Sequence, residues 1–127
     1  MTQKRPDIIH DQVDGVISQT WLNTMLPSRQ AFVRRLFSVF IREEPKRVEN
    51  LKDAIQNEDI ERIRYFAHSL KGAAATLGCE AVQKACLEIE SAAKQNDLAN
   101  APKLLEKLEL EMDRVYRAME HLIQGME

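Results

Sequence analysis

The residues of this chain best suited to chemistry lie in His68-Ser69-Leu70-Lys71-Gly72, inside the helix-forming run AHSLKGAAATLG. A glycine within a helix costs about 1 kcal/mol relative to alanine, so Gly72 calls for a reason beyond packing. At helical spacing His68 neighbours Arg64, Lys71, Gly72 and Ala75, two cations and two residues without bulk. A core histidine would sit among large apolar side chains with a buried partner, which this one does not. An outward imidazole beside positive charge suits a phosphoryl group. The ring nitrogen is nucleophilic at neutral pH, Arg64 or Lys71 offsets the charge of the product, and Gly72 leaves room for a phosphorylated carboxylate on a partner to approach.

Other chemistries lack their residues. Helical metal ligation needs a second histidine or carboxylate three or four positions from His68, and those places hold Arg64, Tyr65, Lys71 and Gly72. No metal is therefore expected. Ser69 points about 100° away from His68 on a helix, and His10 and His121 have no nucleophile at local spacing, which leaves them as surface residues. There is no GxxxxGK[ST] loop, glycine-rich nucleotide motif or strand-helix alternation to gather magnesium ligands, so neither ATP binding nor autokinase activity is expected.

The elements that must position His68 read as helices. Asp14 to Leu26 forms a short lead-in that lays Val16, Ile17, Trp21, Met25 and Leu26 over one end of a bundle. From about Ser28 to Gln56 the set Phe32, Leu36, Val39, Phe40, Val48, Leu51 and Ile55 follows three-and-four spacing, with Pro45 expected to kink or split the helix. Asn57-Glu58-Asp59 makes a turn and cap, and Ile60, Ile63, Ala67, Leu70, Ala74 and Leu77 trace a third helix that Gly78 ends. A fourth runs from about Glu80 to Gln95 with Val82, Cys86, Ile89 and Ala93 inward. Asn100 as cap and Pro102 in the first turn start the last, which carries Leu104, Leu108, Met112, Val115, Met119 and Leu122. Four long amphipathic segments with short polar connections predict an all-α fold, an antiparallel four-helix bundle with an extra short N-terminal helix.

Composition agrees. The chain has 127 residues, enough for one core, and is 44% hydrophobic and 30% charged with few glycines, prolines and aromatics. We divide it into a lead segment over residues 1–13 and a single helical domain over residues 14–127. A net charge of -2 argues against nucleic acid as the main partner. No stretch has the length and apolarity of a membrane span, and the N-terminus lacks the apolar run of a signal peptide, so a cytoplasmic location is expected. Cys79 and Cys86 would lie about 10 Å apart along one helix, too far for a disulfide, and read as small core residues.

At His68-Ser69-Leu70-Lys71-Gly72, followed by Gly78 after a run of small residues, the chain resembles the histidine phosphotransfer (HPt) domains of multistep two-component phosphorelays. The resemblance extends from the helix near Ser28 through the last helix. It implies that His68 receives a phosphoryl group from the aspartate of one receiver domain, on a hybrid sensor kinase, and passes it to the aspartate of another, on a response regulator. Lys71 matches the charge-stabilising lysine and Gly72 the clearance glycine. Arg64 shares the face by helical geometry alone. Magnesium would belong to the partner receiver, with no cofactor on this chain, and a monomer is expected. The Ile89-Glu90 pair falls where such domains often carry Leu-Glu. Some members place there a glutamine that bonds the histidine; a carboxylate would hold the ring proton but repel phosphate, so Glu90 reads as a solvated charge. A binding adaptor that holds receivers without chemistry is the alternative function.

Overall fold

The computed structural model describes residues 15–126; the lead segment over residues 1–13 and His10 lie outside them. Among the described residues five helices follow in order: α1 (Gln19–Met25), α2 (Gln30–Gln56), α3 (Ile60–Thr76), α4 (Glu80–Lys94) and α5 (Ala101–Gly125). The four long ones form the bundle, α3 lying between α2 and α4 and α5 closing the ring against α4 and α2. Tight polar turns make successive helices antiparallel. The all-α expectation holds, with the short helix spanning Gln19–Met25.

The turn before α3 follows the sequence reading. Asp59 caps α3 by accepting from the Arg62 N–H at 3.2 Å. Glu58, at φ 52°, takes the left-handed turn position. At the other end Gly78 adopts φ 72°, and an added Cβ there would lie 3.0 Å from Trp21 Cβ. Glycine is thus required both by the backbone and by the close passage of α1. The Ser18 N–H donates to the Gly78 carbonyl at 2.7 Å, tying the lead-in to the α3–α4 turn. Asn100 precedes α5, but its side chain makes no capping hydrogen bond, and Pro102 supplies the stop-start signal alone.

Helix α2 buries Phe40, Leu51 and Ile55 as expected but corrects the reading of its first half. Val33, Phe37, Phe40, Leu51, Ala54 and Ile55 are its buried apolar residues, whereas Phe32 and Val39 remain 42% and 39% exposed. Both stripes have helical spacing; Phe37 prevails because Trp21 of α1 stacks on it at 5.9 Å. The buried stripe also carries Glu44, which pairs with Arg47 at 3.1 Å. Nor does Pro45 split the helix, which is continuous over 27 residues. In α3, α4 and α5 the expected residues Ile63, Ala67, Leu70, Ala74, Leu77, Val82, Cys86, Ile89, Ala93, Leu108, Met112, Val115 and Met119 are buried, whereas Ile60, Leu104 and Leu122 are only partly buried and Leu105 takes the inward place beside Leu104. Both cysteines are free and buried, with Cys79 just ahead of α4 and Cys86 within it. Burial pushes each thiol up to about 12, which leaves them unreactive at neutral pH. Among the described residues no helix is long and apolar enough to cross a membrane.

Candidate functional site

Because Ile63, Ala67, Leu70 and Ala74 bury one stripe of α3 completely, the opposite face must carry Arg64, His68, Lys71 and Gly72 outward. The His68 side chain is 71% exposed. It stands in an open groove between α3 and α4 lined by Glu61, Arg64, Tyr65, Ser69, Glu90 and Lys94. Lys71 lies beside it, bonded across to α4. Arg64 lines the groove, but no hydrogen bond or ion pair joins it to His68. At Gly72 an added Cβ would meet nothing within 4 Å, so nothing inside this chain demands a glycine there. The clearance it provides faces outward.

Glu90 departs from the expected solvated charge. Its side chain is only 14% exposed and its two oxygens are divided between two partners. Oε1 accepts from Lys71 Nζ at 2.6 Å, and Oε2 lies 3.1 Å from His68 Nδ1. Burial alone would raise its pKa, yet the hydrogen bonds and positive charge of Lys71 and His68 outweigh it and hold the carboxyl below its ordinary value. Glu90 is therefore ionised at neutral pH and can only accept. Nδ1 must then carry the proton, and the lone pair of the neutral ring falls on Nε2, the nitrogen remote from Glu90.

That arrangement gives a nucleophile held by one nitrogen and presented by the other. Lys71 is kept within reach by the same carboxylate, so three side chains from two helices form one charge-balanced unit. The cross-helix bonds span 19 and 22 residues of sequence. Sequence reasoning brought His68, Lys71 and Gly72 together because they share one helix; it aligned Glu90 with the position of a histidine-bonding glutamine but assigned it no bond. Tyr65, 66% exposed, Glu61 and Lys94 also border the groove, and the sequence singled out none of them. Among the described residues no group of three His, Cys, Asp or Glu side chains gathers as a metal site.

No curated protein matches the chain at a significant level. The crystal structure of histidine-containing phosphotransfer protein B (HptB) from Pseudomonas aeruginosa PAO1 is similar to it with a TM-score of 0.82 at 25% identity, over 89% of this chain and 97% of that one. The Hpt domain family matches residues 35–118, a span that contains the whole His68, Lys71 and Glu90 unit. Since that match takes in about two thirds of the 127 residues, the chain belongs to the Hpt domain family.

Proposed function

We propose that His68 is the phosphoryl-carrying residue, accepting from an aspartyl phosphate on the receiver domain of a hybrid sensor kinase and donating to the aspartate of a response regulator. Membership of the Hpt domain family gives the chain a histidine phosphotransfer role in phosphorelays. The observation that carries the assignment to His68 is its anchored Nδ1 and outward Nε2 on a ring 71% exposed.

In the forward step the Nε2 lone pair attacks phosphorus, an N–P bond forms, and the P–O bond breaks with its electron pair going to the receiver's aspartate. Passing the group on reverses those events with a second aspartate. Such transfer depends on in-line positioning and on offsetting charge at the phosphoryl oxygens. The rigid α3 supplies the first and Lys71, with Arg64 at the groove, the second. Gly72 admits the receiver's loops, and magnesium enters with the receiver. The protein works as a monomer in the cytoplasm.

Incubation of wild type and His68→Gln with phosphorylated receivers, followed by intact-mass measurement, tests this. Wild type should gain about 80 Da, one phosphoryl group, in an acid-labile form, and His68→Gln should gain none while keeping its helical spectrum. An adduct that persists in His68→Gln would overturn the assignment. Receivers that bind both proteins equally without transferring phosphate would make the chain an adaptor.

A further inference from the structure

Once Nε2 carries a phosphoryl group, the state of the ring depends on its other nitrogen, and here that nitrogen faces a carboxylate. A neutral imidazole that attacks phosphorus through Nε2 still bears the Nδ1 proton, so the immediate product is a phosphoimidazolium cation. In water that proton can leave. The N–P bond is more easily broken while it remains, because the departing electron pair then makes neutral imidazole rather than an imidazolide anion. A nearby anion favours the protonated ring.

We infer that Glu90 is a positioning residue that keeps the Nδ1 proton on phosphorylated His68, holding the phosphohistidine in its labile, readily transferred form. The inference rests on His68 being the phosphoryl acceptor. Oε2 is already 3.1 Å from Nδ1, and a phosphoryl group on Nε2 leaves that contact in place. No proton then has to move in either direction. Attack places the electron pair of Nε2 in the N–P bond with Nδ1–H still bonded to Glu90, and departure returns the pair to Nε2 with the same proton unmoved. When water is the acceptor its proton goes to the phosphate, and the ring is again neutral.

The other charges of the site fit this division of labour. On α3, Lys71 and Arg64 oppose a positive ring, but Lys71 is paired with the second oxygen of the same carboxylate, leaving Oε2 to the imidazole. Arg64, and Lys94 from α4, line the groove where a phosphoryl dianion would be offset by cations, and Glu61 from α3 adds charge of the same sign as Glu90. Tyr65 adds a phenol to the groove, and no side chain of α2 lines it. A glutamine at position 90 would keep the shape and lose the charge that holds the proton.

The test loads the ring chemically, without any receiver. Wild type and Glu90→Gln, each in a His10→Gln and His121→Gln background so that His68 is the one histidine present, are phosphorylated with phosphoramidate, and the adduct is followed by intact mass across a range of pH. Glu90→Gln should lose phosphate about three- to tenfold more slowly at neutral pH, the two proteins converging in strong acid where both rings are protonated. The acceleration of decay should move to lower pH in the variant, and Glu90→Asp, which keeps the charge, should recover part of the wild-type profile. Equal lifetimes and superimposable pH profiles would overturn the inference, as would a ring that takes no phosphate from phosphoramidate. Loading by phosphoramidate with the expected profiles, but no transfer from any receiver, would remove the relay partners proposed above and leave the role of Glu90 standing.

Discussion

Gly72 separates what is good for this chain from what is good for its partner. The position has helical backbone and open space around it, so alanine fits without a clash. Gly72→Ala should raise stability by about 0.5–1 kcal/mol, read as a higher midpoint in thermal or urea unfolding. The same methyl group protrudes one turn from His68, where a receiver must bring its aspartyl phosphate in line. Displacing that approach by even about 1 Å can cost a factor of 100, and a fall of at least about tenfold in transfer rate is expected. A variant that is more stable and transfers as fast as wild type would show that the glycine serves no clearance. The neighbouring site residues divide by how they could be read. His68, Lys71 and Gly72 announce themselves because their spacing along one helix already fixes their relation. Glu90 does not, because its two bonds cross to a different helix and depend on the rotation of α4 relative to α3, which local spacing leaves open.

The same limit explains why the sequence misread the first half of α2, naming Phe32 and Val39 where Val33 and Phe37 are buried. In α2, Phe32-Leu36-Val39 and Val33-Phe37-Phe40 both repeat at three and four residues, and hydrophobic spacing cannot choose between them. The buried stripe also passes through a carboxylate at Glu44, which makes it look interrupted. The choice is made by contacts remote in sequence: Trp21 on Phe37, and Tyr116 of α5 on Phe40 at 6.1 Å. Helices α3, α4 and α5 were more legible: most of their expected inward residues are buried, although Leu105 rather than Leu104 enters the core and Ile60 and Leu122 are only partly buried. Glu44 bears a cost for its position. Burial raises its pKa, with Arg47 lowering it in part and Glu43 adding to the rise. The folded state therefore binds the Glu44 proton more tightly than the unfolded chain does, and stability falls as pH climbs from the ordinary carboxylate value through the raised one. Glu44→Gln, which cannot ionise, should be the more stable protein at neutral pH in urea titrations. Its advantage should shrink as acid protonates Glu44 in the parent. A variant less stable than wild type at neutral pH would mean that the Arg47 pair outweighs the desolvation of the carboxylate.

At the scale of the whole molecule, the bundle and its N-terminal helix share one core. A seven-residue helix has no stability of its own in water, so α1 exists through what it packs against. Val16, Ile17 and Leu22 are buried in the same cluster as the bundle residues, and Ser18 is hydrogen bonded to the Gly78 carbonyl at the turn that ends the histidine helix. Trp21 lies between Phe37 and Gly78, and it is the one tryptophan in the sequence. Its fluorescence thus reports the docking of α1, whereas far-UV circular dichroism reports the four long helices. If the core is single and cooperative, the two signals should trace one transition with the same urea midpoint. An earlier fluorescence transition would instead make α1 a flap that opens while the bundle stays folded. The same pair of curves should superimpose for His68→Gln, because a ring 71% exposed contributes little to packing. Stability and phosphoryl chemistry are then carried by opposite faces of α3, the buried stripe of Ile63, Ala67, Leu70 and Ala74 holding rigid the surface from which His68 reacts.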